Sequence, residues 1–156
     1  MDFGLFLQLV EALEREGVEY VVVGGVAVNL HGIVRATEDI DFFVRPDHDN
    51  IERLKSALRS LWDDPEIGEI SGDDFSGDYP TLRYGPPGGD LVLDFLGRLG
   101  TAFRFEDLDV ESVSVEGVDV RVATPNTLVR MKKGTLRPID QSDAAALADK
   151  FGIREP

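Results

Sequence analysis

The residues best suited to chemistry are few and lie in three places. Gly24-Gly25 closes the apolar run Tyr20-Val21-Val22-Val23. Asp39-Ile40-Asp41 opens a second apolar run, and Asp94 interrupts a third, Leu91-Val92-Leu93-Asp94-Phe95-Leu96. Paired glycines let a ligand approach the backbone closely, and a helix start behind them offers unpaired N–H groups to an anion. In an extended strand, residues two apart point to one face, so Asp39 and Asp41 face together while Ile40 and Phe42 face the core. Two carboxylates on one face suit one or two Mg²⁺ ions, which prefer hard oxygen ligands and keep water for substrate phosphates. Asp94 on a neighbouring strand would complete a two-metal site or accept a proton from an attacking hydroxyl. The plainer alternatives are that Asp39 pairs with Arg35 or Arg45 and that Asp94 ends a strand at the surface. An aspartate in a strongly apolar strand is costly unless paired or metal-bound, so Asp39 needs one or the other; for Asp94 alone the two readings stay even.

Elements must position these groups. Phe3, Phe6, Leu9, Val10 and Leu13 repeat at helical spacing within Met1 to Gly17, and Gly17 can end that helix. Tyr20 to Val23 reads as a buried strand, Val26 to His31 as a short helix and Asp39 to Val44 as a second strand. Asp49 is a candidate cap for a helix carrying the stripe Ile51, Leu54, Leu58 and Leu61. Residues 63 to 80 hold seven acidic residues, three glycines and no Lys or Arg, and read as a solvated loop rather than a substrate lid. Thr81 to Tyr84 and Leu91 to Leu96 read as strands joined through Pro86-Pro87-Gly88-Gly89, and Val113 to Val115 with Val118 to Val122 as a hairpin around Glu116-Gly117. Thr124-Pro125 starts a helix, and Asp140 to Phe151 forms the last one, ended by Gly152. Trp62 and the phenylalanines are assigned to the core. Strands and helices mix without regular alternation, so the expected class is α+β with a mixed β-sheet flanked by helices.

Composition sets the bounds. The 156 residues fit one domain over 1–156, and 42% of them are hydrophobic, enough for a packed core. The chain has no cysteine, which excludes thiol catalysis and zinc–thiolate sites and is compatible with a cytoplasmic setting. The first residues lack the basic start and unbroken apolar stretch of a signal peptide, and no segment reaches the ~20 apolar residues that span a bilayer, so no membrane partner is expected. A net charge of −14 opposes general coating of nucleic acid, although a local basic pocket or a bound metal can reverse the field where it matters.

The stretch from Val21 through Gly24-Gly25 to Asp39-Ile40-Asp41-Phe42 resembles the defining motif of the polymerase β-like nucleotidyltransferase superfamily. Gly24-Gly25-Val26-Ala27-Val28-Asn29-Leu30-His31-Gly32, with Arg35-Ala36-Thr37 ahead of the aspartates, resembles the AbiEii branch and its small relatives. That branch includes nucleotidyltransferase toxins of bacterial toxin–antitoxin systems. Asp94 matches the third carboxylate by order and apolar setting. Leu128-Val129-Arg130-Met131-Lys132 resembles a leucine-to-lysine helix, and Arg137-Pro138-Ile139-Asp140 with Asp143 resembles a terminal Arg-Pro-Lys-Asp element. Ile139 stands where the family has lysine, and the large helical extension of longer toxins is missing.

The resemblance implies a nucleotidyltransferase fold and an enzyme moving a nucleotide from an NTP to an acceptor. In it Gly24, Gly25 and Lys132 line the triphosphate, and Asp39, Asp41 and Asp94 bind Mg²⁺ or Mn²⁺. Arg35 either neutralises phosphate charge or pairs with Glu38. His31 contacts substrate or is a hydrogen-bonded histidine at a helix end, the second being favoured. Arg137 and Asp143 form either a structural pair or part of the site. The acceptor is a tRNA 3′ end or other RNA, a small molecule of aminoglycoside type, or a protein hydroxyl; a cognate antitoxin is a further partner. A module that binds nucleotide or a partner without turnover is the alternative from another class.

Overall fold

The structure is a computed structural model that describes residues 2–133 and 137–154. Helix α1 (Phe3–Arg15) begins where the Asp2 carboxylate accepts a hydrogen bond from the Leu5 N–H at 3.1 Å. Its apolar stripe is buried, and Gly17 leaves the helix with φ 70°. Strand β1 (Tyr20–Val23) is buried along its whole length, which explains why it reads as a continuous apolar run. Helix α2 (Gly24–Leu30) follows at once. Strand β2 (Asp39–Val44) alternates at its start, with Ile40 and Phe42 fully buried and Asp39 and Asp41 half-buried.

Helix α3 (His48–Leu61) is capped by Asp47, whose carboxylate accepts from Asn50 N–H at 2.8 Å. Asp49, expected as the cap, lies instead in the first turn, where a carboxylate still favours the helix dipole. Asn50 is fully buried. Its side chain accepts from Glu19 N–H at 2.7 Å and donates to the carbonyls of Glu19 and Arg45 at 3.0 and 2.8 Å. One amide thereby ties α3 to the chain just before β1 and just after β2.

The polar stretch 63–80 is more ordered than a solvated loop. It forms two 3₁₀ turns, Pro65–Glu69 and Gly72–Phe75, and sends Ile67, Ile70 and Phe75 into the core. Strands β3 (Thr81–Tyr84) and β4 (Val92–Leu96) form the expected antiparallel pair. A small ribbon of β5 (Arg98–Leu99) and β6 (Phe103–Arg104) had no sequence signal. Strands β7 (Val110–Val115) and β8 (Val118–Ala123) make a hairpin whose two turn residues, Glu116 and Gly117, take φ 49° and 83°. Positive φ at both positions matches the twist of a two-residue hairpin.

Helix α4 (Pro125–Lys133) starts under Thr124, whose hydroxyl accepts from Thr127 N–H at 3.3 Å. Helix α5 (Pro138–Phe151) starts at Pro138, ahead of the expected Asp140, and ends at Gly152 with φ 63°.

The six-stranded mixed sheet has the order β3-β4-β2-β1-β8-β7. β2 is antiparallel to β1 and parallel to β4, while β1 runs parallel to β8. Helices α1 and α3 pack on each other, and α2 meets α4, which pairs with α5. A stack of Phe6, Phe42 and Phe95 runs through the core beside Tyr20. Trp62 is partly buried and packs against the core, edge-on to Tyr84, while Phe151 is exposed and does not belong to the core expected for it. Phe151 instead covers the edge of His31. The class is α+β, as the mixture of elements implied.

Candidate functional site

Register brings the carboxylates together. In the parallel β2–β4 pair, Asp41 lies directly opposite Asp94, and Asp39 sits two residues along β2 on the same face. Asp94 is 8% exposed, so it lies within the strand and does not end it at the surface. Across β1, Val23 partners Asp41, which sets Gly24 beside that carboxylate. Gly24 has φ 69°, and a Cβ there would run into the Asp41 side chain. A Cβ on Gly25 would run into the Arg35 guanidinium and stand 2.9 Å from Thr37 Oγ1. The missing side chains of the glycine pair therefore make room for Asp41 and Arg35, a tighter use of glycine than a bare turn.

Asp41 carries the electrostatic signature of this crowding. Its pKa is raised from 3.8 to about 6, first by burial, then by the charges of Asp94 and Asp39 and by the hydrogen bond its protonated form donates to Asp94, with Lys132 opposing. Among the described residues no three His, Asp or Glu side chains are so placed that together they could hold a metal ion as they stand. Asp39, Asp41 and Asp94 are nonetheless hard oxygen donors on adjacent strands, and their mutual repulsion is what a divalent cation would relieve.

Arg83 was not anticipated from the sequence. It lies on β3 opposite Asp94. Its Nε donates to Asp94 Oδ1 at 3.0 Å, and its Nη2 donates to Asp94 Oδ2 at 3.2 Å and Asp39 Oδ2 at 3.3 Å. Asp39 thus pairs with neither Arg35 nor Arg45; Arg45 is engaged by Glu19 and Glu106. The missing signal was long-range pairing, since nothing local links residue 83 to residue 39.

A second charged group lies on the α4–α5 side. Lys132 is buried, with its ammonium 3.1 Å from Asp143 and 3.4 Å from Asp140. Arg35 Nε donates to Asp143 Oδ1 at 2.8 Å, so its partner is Asp143 rather than Glu38. Arg137 stands 3.8 Å from Asp140, so the structural pair of Arg137 with Asp143, one of the two alternatives, is not the pair formed. His31 is the hydrogen-bonded histidine at the end of α2. Its Nε2 donates to the Ala123 carbonyl at 2.8 Å, and its Nδ1 lies 3.3 Å from Glu111.

One cleft of about 510 Å³ is lined by Gly24, Gly25, Arg35, Asp39, Asp41, Arg83, Asp94 and Lys132, together with Arg137, Ile139 and Asp140. It therefore gathers every residue the sequence singled out for metal or phosphate. A larger groove of about 870 Å³, between α1 and the β7–β8 hairpin, shares none of these residues.

Similarity to known proteins bears on the fold and the family. No curated protein matches the chain. Among solved structures, a candidate nucleotidyltransferase from Thermotoga maritima superposes with a TM-score of 0.60 at 15% identity, over 97% of this chain and 93% of that one. ANT(2″)-Ia, solved in complex with adenylyl-2″-tobramycin, gives 0.59 at 13% identity, over 96% and 88%. An antigenic nucleotidyltransferase-like protein from Paracoccidioides brasiliensis gives 0.56 at 19%, over 94% and 75%. At such identities these likenesses speak for a shared fold. The family described as nucleotidyl transferase AbiEii toxin, type IV toxin–antitoxin system, matches residues 8–134. That span holds the glycine pair, the three carboxylates and Lys132, and it covers most of the sequence: the chain belongs to the AbiEii nucleotidyltransferase toxin family.

Proposed function

We propose that the protein transfers a nucleotide from an NTP to an acceptor hydroxyl, with Asp39, Asp41 and Asp94 holding Mg²⁺ or Mn²⁺. The observation that carries this reading is the juxtaposition of Asp41 and Asp94 across the β2–β4 pair, with Asp39 on the same face of one cleft. A divalent cation bound there would neutralise charge developing on the phosphoryl oxygens. The chain's own residues have separate tasks. Lys132 and Arg35 place positive charge at the cleft beside Gly24-Gly25, where the triphosphate would lie. Asp143 contacts both cations and orients them. Asp94 is positioned to accept the proton of the acceptor hydroxyl or to share in metal binding.

We place RNA, a tRNA 3′ end foremost, as the acceptor class, supported by the toxin family to which the chain belongs. A cognate antitoxin and a cytoplasmic location, where NTPs and Mg²⁺ are supplied, go with that reading. No helix among the described residues is long and apolar enough to cross a membrane. The second reading is a small cationic acceptor of aminoglycoside type. It is favoured by the net charge of −14, which repels a polyanion, and by the fold shared with ANT(2″)-Ia.

Isothermal titration with NTP and Mg²⁺, run beside a pyrophosphate-release assay with total RNA, tests the reading. Binding accompanied by release is the expected result. Binding without release under any acceptor would make the protein a nucleotide-binding module.

A further inference from the structure

We propose that Arg83 is a tethered counter-ion that occupies the carboxylate site until the metal displaces it. The inference rests on the metal reading above and adds a residue to it. Two features make Arg83 unusual. Its backbone is fixed, because β3 pairs with β4 and the adjacent Tyr84 is buried, edge-on to Trp62, with its hydroxyl donating to Asp64 at 2.9 Å. Its side chain is nevertheless 67% exposed and reaches across the sheet edge to two separate carboxylates.

The contacts are those a cation would seek. The guanidinium fork takes both oxygens of Asp94, and the same Nη2 reaches Asp39. Five fixed donors in one plane suit a bidentate carboxylate, and lysine cannot reproduce that fork. An exposed guanidinium is also cheap to release, since water and incoming phosphate oxygens replace what it loses. The carboxylate oxygens of Asp39 and Asp94 can therefore serve Arg83 or a metal ion, but the same lone pairs cannot fully serve both. Arg83 keeps three crowded carboxylates apart from open repulsion in the metal-free protein, and it weakens metal binding by the strength of its own contacts. Displaced, it remains on the rim of the same cleft, facing the place where phosphate would enter.

The test is Mn²⁺ affinity in the absence of nucleotide, read by the loss of the free-ion electron paramagnetic resonance signal. Wild type, Arg83→Gln, Arg83→Lys and Asp39→Asn are compared, with thermal melts confirming that each is folded. Exposed bidentate pairs correspond to roughly three- to tenfold in a binding constant. Arg83→Gln is therefore expected to bind Mn²⁺ about three- to tenfold more tightly, and Arg83→Lys to tighten as well, because it keeps the charge and loses the fork. A merely structural role would not improve affinity. Unchanged or weaker binding in Arg83→Gln overturns the inference. So does an Arg83→Lys that matches wild type, which would reduce the effect to general charge. If neither wild type nor Arg83→Gln binds Mn²⁺, the metal reading itself falls and the inference with it. If wild type binds and Asp39→Asn does not, the metal reading stands whichever way Arg83 behaves.

Discussion

Asp41→Asn should make the metal-free protein more stable while destroying its activity. The carboxyl of Asp41 is raised from 3.8 to about 6 by burial and by its neighbours Asp94 and Asp39. Because the folded value lies above the unfolded one, the stability linked to the protonated group is fully present below pH ~4. It is lost as pH rises through about 6. At pH 7 the folded protein carries a charging penalty of about 3 kcal/mol, at 1.36 kcal/mol for each pH unit. Asparagine keeps the shape and removes the penalty. For a chain of this size, 1 kcal/mol moves the melting temperature by roughly 2–4 °C. Asp41→Asn in EDTA at pH 7.5 should then melt roughly 6–12 °C above wild type, and the two should converge near pH 4. Saturating Mg²⁺ should close the gap by stabilising wild type alone. Differential scanning calorimetry with and without EDTA measures all three. An Asp41→Asn protein no more stable than wild type at pH 7.5, or a gap that does not shrink on acidification, would refute the reasoning.

Three other variants probe the remaining parts. Asp94→Asn as a lost general base should leave Mg·NTP binding nearly intact and slow single-turnover transfer ~10²–10⁴-fold; if metal affinity falls in step with rate, Asp94 is chiefly a ligand. Gly25→Val should displace Arg35 from the space it now fills and lower NTP affinity by more than it lowers the melting temperature; unchanged affinity in titration calorimetry would leave the glycine only a packing role. Lys132→Met removes the buried ammonium between Asp140 and Asp143 and should cost roughly 3–5 kcal/mol in urea unfolding, since two buried carboxylates lose that partner.

What could be read in the sequence followed from short-range rules. The two-residue spacing of Asp39 and Asp41 set them on one face, the apolar setting of Asp94 marked it as a strand residue, and Glu116-Gly117 announced a hairpin. What could not be read depended on partners distant in the chain. Arg83 gained its meaning only when β3 was laid beside β4. Arg35 found Asp143, more than a hundred residues away, whereas the only pairing partners the sequence offered it, Glu38 and Asp39, lay nearby. Ile67, Ile70 and Phe75 are buried from an irregular stretch because two 3₁₀ turns, too short to show a periodic pattern, aim them inward. Asp47 caps α3 where the sequence suggested Asp49, because the cap is set by the backbone conformation of residue 47, which its residue type does not announce.

The central claim is that the carboxylate cleft performs metal-dependent nucleotidyl transfer. The direct measurement is to incubate the protein with each α-labelled NTP, Mg²⁺ and separate fractions of cellular RNA, protein and small metabolites, and to follow where the label goes. The account predicts covalent label in the RNA fraction, abolished by EDTA and by Asp39→Asn. Label in the metabolite fraction would keep the chemistry and replace the acceptor. No label in any fraction, from protein that binds Mg·NTP, would contradict the claim.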